Sequence, residues 1–164
     1  MASRAPFVIA GHEIKAGTRQ TVEVPVAKLY THTPLHIPVE VVHGRRSGPV
    51  LMVCGAIHGD EINGVEIVRR VLTNSALRHL RGTLVAVPIV NIFGFVQRTR
   101  YLPDRRDLNR CFPGSETGSL GGRIAYLLRT QIMENVSHII DLHTGAIHRF
   151  NLPQIRAQLS AGSE

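Results

Sequence analysis

The sequence predicts an α/β fold: a mixed, largely parallel sheet flanked by helices and preceded by an N-terminal β segment. Three observations carry this. First, "VLMVCGAI" (50–57), "RGTLVAVPIVN" (81–91) and "HIIDLH" (138–143) are apolar runs of strand length, as expected of strands covered on both faces. Second, Ile62, Val65, Val68, Val71 and Leu72 recur at helical spacing after the first run, and Ile124, Leu127, Leu128 and Ile132 do so before the third. Third, the order strand, helix, strand, loop, helix, strand is the alternation that builds parallel sheets.

The elements follow in order. Residues 6–43 read as extended, because "TVEVPVAKL" and "LHIPVEVVH" alternate apolar and polar residues. Prolines 25, 34 and 38 place these strands at edges or bends. "HGRRSGP" (43–49) reads as a turn. Residues 92–120 are rich in Gly, Pro and Arg and read as a long irregular loop, a kind of segment that often carries function. Ser119 then precedes the second helical pattern. Residues 1–46 are expected to form a β segment packed on a main domain over 47–164.

The bulk numbers narrow the function classes. A chain of 164 residues, 43% apolar and 19% charged, is long enough for one globular core. No apolar run approaches the roughly 20 residues of a membrane span. "MASRAPFVIAGHEIK" lacks a secretory h-region, so the expected compartment is the cytoplasm. The two cysteines form no CxxC, and Cys54 reads as a small core residue. The net charge of +7 comes from seventeen Arg and two Lys, scattered in ones and twos. That pattern argues against a nucleic-acid partner and suits small carboxylate ligands, which guanidinium binds bidentately.

Chemistry concentrates where strands end. In open α/β sheets, sites gather beyond the carboxyl ends of strands. "GAIHGDEINGVEI" (55–67) puts His58 and Glu61 there, and "DLH" adds His143 at another strand end. Imidazole, carboxylate and imidazole make a catalytic zinc set with one position left for water. Taken alone, His-x-x-Glu is a weak signal, and nine histidines make chance pairs common. Gly59 is expected to let the turn bend. Asp141 is placed to orient a ligand imidazole. His12, His32, His36, His43 and His79 read as surface or turn residues, and His148 as lying inside or outside the cleft. In "RTRYLPDRRDLNRCFPG" (98–114), Arg110 suits a substrate carboxylate and Asn109 a hydrogen bond beside it. Arg100 suits an oxyanion, and Asp107 reads as a buttress for the loop or one of its arginines.

Together "GAIHGDEINGVEI", "RYLPDRRDLNRCFPG" and "DLHTGAIHRFNLPQIRA" resemble the succinylglutamate desuccinylase/aspartoacylase family, a relative of the zinc carboxypeptidases. The resemblance spans about residues 35–158. It implies a zinc carboxypeptidase-like fold, one Zn2+ ion, and hydrolysis of the amide bond of an N-acyl amino acid or similar small carboxylate. It implies His58, Glu61 and His143 as metal ligands. It makes Arg100 the residue that polarises the scissile carbonyl, and Asn109 and Arg110 the pair that holds the substrate carboxylate. It also implies a general-base Glu in a later β-rich region. The sequence stops at "AQLSAGSE", and Glu116, Glu134 and Glu164 match no such motif. Residues 47–164 are therefore expected to be the N-terminal part of the hydrolase domain, with an incomplete sheet and little or no activity alone. Two other outcomes are a metallopeptidase acting on short peptides and a non-catalytic metal-binding or interaction module. A bare apolar sheet edge would favour a homo-oligomer.

Overall fold

A computed structural model describes residues 4–157. A small hairpin, β1 (Phe7–Ile9) and β2 (His12–Ile14), precedes a five-stranded sheet. The sheet comprises β3 (Thr18–Lys28), β4 (Pro34–His43), β5 (Arg46–Gly55), β6 (Arg81–Val87) and β7 (His138–Leu142). Its spatial order is β3-β4-β6-β5-β7. The helices are α1 (Asn63–Thr73), α2 (Ile92–Gln97) and α3 (Leu120–Gln131).

The sheet is mixed, as the sequence predicts, with its parallel pairs confined to one half. β5 runs parallel to both β6 and β7, whereas β4 is antiparallel to β3 and β6. The antiparallel half comes from the N-terminal strands, which join the main sheet edge to edge. Their prolines sit where no ladder donor is needed. Pro25 lies on the edge strand beside a register shift, and Pro38 lies before the part of β4 that pairs with β6.

Alternation along β5 and β6 builds a core on each face. Met52, Cys54, Val85 and Val87 face α3, packing with Ile124, Ala125 and Leu128. Val53, Leu84 and Ala86 face α1, packing with Val68 and Leu72. Both strands are covered on both sides, which is why their sequences are apolar without a period of two. Ser119 caps α3 by accepting from the Gly122 amide at 3.1 Å.

Several expectations fail on the structure. β7 is not buried: Ile139 is 44% and Ile140 47% exposed. Among the described residues it pairs with β5 alone. Residues 46–49 extend β5 instead of forming a turn, because Arg46 pairs with Arg81 before the register shifts at Val50. Ile62 is exposed, one residue ahead of α1. The stretch 92–120 is not wholly irregular. Asn91 caps α2 by accepting from Gly94, and Asp107 caps a short 3-10 turn at Leu108–Arg110. Among the described residues, no helix is long and apolar enough to cross a membrane.

Candidate metal centre

Three loops converge beyond the carboxyl ends of the parallel strands. The chain leaves β5, turns through His58 to Glu61, and enters α1. The turn is closed by the Glu61 amide donating to the His58 carbonyl at 3.1 Å. Its left-handed residue is Ala56, with φ of 50°, not Gly59. Gly59 is needed for proximity: a Cβ there would lie 1.8 Å from the Gly94 carbonyl carbon at the start of α2. His143 follows directly after β7. Arg100 and Asp107 lie on the loop after α2.

His58, Glu61 and His143 offer ligand atoms that all lie within 4.8 Å of one another. The Glu61 carboxylate is the hub. Oε1 faces His58 Nδ1 at 2.8 Å and accepts from Arg100 Nη1 at 3.3 Å. Oε2 faces His143 Nδ1 at 2.9 Å and accepts from the Thr144 amide at 2.9 Å. His58 and Glu61 are almost fully buried, while the His143 side chain is 36% exposed. The opening to solvent is therefore on the His143 side.

Each imidazole is held from behind by a second carboxylate. His58 Nε2 lies 3.1 Å from Asp107 Oδ1, and His143 Nε2 lies 2.8 Å from Asp141 Oδ2. The Asp141 hydrogen bond is the main cause that raises the His143 pKa, against the opposing effect of burial. Burial works to raise the Asp107 pKa. The Arg100 hydrogen bond, with the further bond from His58 and the Arg100 charge, outweighs it, and the net shift is downward.

The donor set fits a cation. A neutral imidazole has one N–H and one lone pair. With Nε2–H given to Asp107 or Asp141, each Nδ1 lone pair points at Glu61, an acceptor. Two lone pairs and a carboxylate converging on one point repel unless a proton or a metal ion lies among them. This is the carboxylate–histidine–metal arrangement, in which the outer carboxylate fixes the tautomer.

Asp107 does more than buttress its loop. Its Oδ2 accepts from Arg100 Nε at 3.1 Å and Nη2 at 2.9 Å, while Oδ1 reaches His58 and the Asn109 amide. One carboxylate thus ties His58, the arginine and the Asn109–Arg110 turn together. The sequence offered only its place before "LNR" as a hint. Arg110 is exposed, and its guanidinium donates to the Asn109 carbonyl at 3.3 Å. His148 is exposed. Asp60 Oδ1, inside the His-to-Glu turn, is buried without a partner among the described residues; nothing in the structure explains it.

His43 departs from expectation. It is only 2% exposed, and its ring is bonded to Thr83 Oγ1 at 2.8 Å and the Ala5 carbonyl at 3.1 Å. It closes the far end of the sheet, away from the candidate metal centre.

Comparison with known proteins places the chain in a family. Residues 47–163 match the succinylglutamate desuccinylase/aspartoacylase catalytic domain. The chain belongs to that family. A family relative is the N-alpha-acetyl-L-2,4-diaminobutyric acid deacetylase of Halomonas elongata, 32% identical over 110 residues. That alignment covers 66% of this chain and 32% of the deacetylase. The solved structure of an aspartoacylase family protein from Mesorhizobium loti aligns with a TM-score of 0.70 and 30% identity. It covers 87% of this chain and 45% of that one. A metallo-carboxypeptidase from Burkholderia cenocepacia shares the fold at 14% identity, with a TM-score of 0.57 over 76% of this chain and 36% of its own. The chain thus spans about a third of the curated family relative and less than half of these solved structures.

Proposed function

We propose that the chain carries the metal-binding part of a zinc-dependent deacylase that hydrolyses the amide bond of an N-acyl amino acid or a similar small carboxylate. The observation that carries this reading is the convergence of His58 Nδ1 and His143 Nδ1 on Glu61, with each Nε2 backed by a carboxylate. Family membership and the deacetylase relative support the reaction class. His58, Glu61 and His143 would hold one zinc ion. Bound there, zinc supplies Lewis-acid polarisation of a carbonyl and lowers the pKa of a water toward about 7.

The chain's own residues supply the rest. Arg100 is fixed in place by two bonds to Asp107 and one to Glu61. A guanidinium has five N–H donors, so two remain to receive negative charge developing on a carbonyl oxygen. Arg110 and Asn109 would grip the substrate carboxylate from the turn that Asp107 anchors. The proton acceptor for the attacking water is assigned to neither Glu116 nor Glu134. Glu116 lines a groove between β3 and α3, and Glu134 pairs with Arg129. Glu164 lies outside the described residues.

The test is zinc content together with a hydrolysis screen on N-acyl amino acids and short peptides, using the full-length protein. One zinc per chain, lost in His58→Ala, is the expected result. Zinc retained in that variant sinks the ligand assignment, and cleavage of peptides alone would favour a metallopeptidase. A second reading, self-association, rests on the exposed Ile139 and Ile140 of β7. Mass in solution decides it.

A further inference from the structure

We propose that Cys54 is a positioning residue for the metal centre: its thiol donates to Asp141 and so fixes the carboxylate that orients His143. This rests on the metal reading above. β5 and β7 run parallel, and their register sets Cys54 directly beside Asp141. In-register neighbours on adjacent strands project to the same face, so the two side chains meet. Cys54 Sγ lies 3.5 Å from Asp141 Oδ1, while Asp141 Oδ2 lies 2.8 Å from His143 Nε2. A single carboxylate therefore joins the thiol on one side to the imidazole on the other. The Ile140 carbonyl is a competing acceptor at the longer distance of 3.7 Å.

The thiol is suited to donate. It is 5% exposed. Burial, and then the negative charge of Asp141, push its pKa well above the ordinary range, so it keeps its proton. The carboxylate needs the help. Asp141 sits on the exposed edge strand, with its side chain 29% exposed. Among the described residues, Cys54 and His143 are the side chains that bond it. Asp107, which plays the same part for His58, is held by two Arg100 bonds and the Asn109 amide. Without the thiol, the Asp141 carboxylate is free to rotate toward water and release the imidazole.

Two variants of the full-length protein separate positioning from packing. Cys54→Ser keeps a donor in place, whereas Cys54→Val keeps apolar volume and removes it. Zinc dissociation constants are measured by chelator competition, with thermal unfolding alongside. Cys54→Val is expected to weaken zinc binding about threefold to tenfold, below the roughly 10- to 100-fold cost of losing a residue that bonds a ligand directly. Cys54→Ser is expected to match the parent protein. Equal affinity in all three proteins overturns the proposal. So does an equal loss in both variants, which would assign the effect to packing. If Cys54→Val does not fold, Cys54→Ala takes its place. Crystal structures of the variants give a readout that needs no metal. Asp141 should leave His143 in the valine variant and stay in the serine variant; an unchanged contact in the valine variant overturns the assignment. Failure of the parent protein to bind zinc would instead remove the metal reading, and the Asp141 rotamer would still decide the role of Cys54.

Discussion

His43 and His58 are buried to the same degree, each 2% exposed, and each has a partner on both ring nitrogens. The partners differ in kind. His43 faces a hydroxyl and a carbonyl. A neutral ring satisfies both by donating from Nε2 to Ala5 and accepting at Nδ1 from Thr83. Arg4 completes that cluster by donating to Thr83 Oγ1 and to the Gly44 and Gly82 carbonyls. His58 faces two carboxylates, and a neutral ring can donate to only one of them. Burial alone does not distinguish the two histidines. The proton arithmetic of the neighbours does, because unpaired buried acceptors are costly.

The sharpest way to break this contrast is Glu61→Ala. It is expected to abolish zinc binding, since both Nδ1 atoms, Arg100 and the Thr144 amide lose their common partner; retained stoichiometric zinc in elemental analysis would overturn it. Asp107→Ala should come next, weakening zinc about 10- to 100-fold by freeing both His58 and Arg100. The chelator-competition assay checks this, with hydrolysis falling in parallel as Arg100 loses its anchor.

His43→Ala should act on stability alone. Losing the two buried hydrogen bonds to Thr83 Oγ1 and the Ala5 carbonyl is expected to cost about 2–3 kcal/mol in denaturant unfolding, with zinc affinity unchanged. A change in zinc affinity would show that the two ends of the sheet are coupled. The smallest expected effect is on pH. Burial lowers the His43 pKa, helped by the charge of Arg4 and opposed by the Ala5 carbonyl bond. The unfolded chain then takes up the proton first, at about 6.5. The contribution is present above that pH and lost as pH falls from there through the folded value. His43→Gln should flatten this part of the stability profile, and an unchanged slope would remove His43 as its source.

Parts of the molecule were legible in the chain. The continuous apolar runs of β5 and β6 reflect cover on both faces, which any parallel pair between helices must have. The helical spacing of Val68 with Leu72, and of Ile124 with Leu128, marked the stripes that meet the sheet. His58 and Glu61 share a turn, so their proximity is local. The strand-end place of "DLH" added His143, the resemblance agreed, and the structure brings it to the same point. Other features were not legible. "HIIDLH" has the apolarity of a buried strand, yet among the described residues it pairs with β5 alone. Composition records what a strand tolerates and says nothing about what covers it. His43 looked like the start of a turn because its partners, Ala5 and Thr83, lie 38 and 40 residues away.

By itself, then, the sequence determined what depends on neighbours within a turn or two: the apolar stripes, the Ser119 cap and the His-x-x-Glu pair. Tertiary structure alone decided the strand order β3-β4-β6-β5-β7 and which carboxylate stands behind which histidine. Those features depend on pairs far apart in the chain, such as His58 with Asp107 and Cys54 with Asp141. Such pairs are fixed only when sheet register and loop closure bring their backbones together.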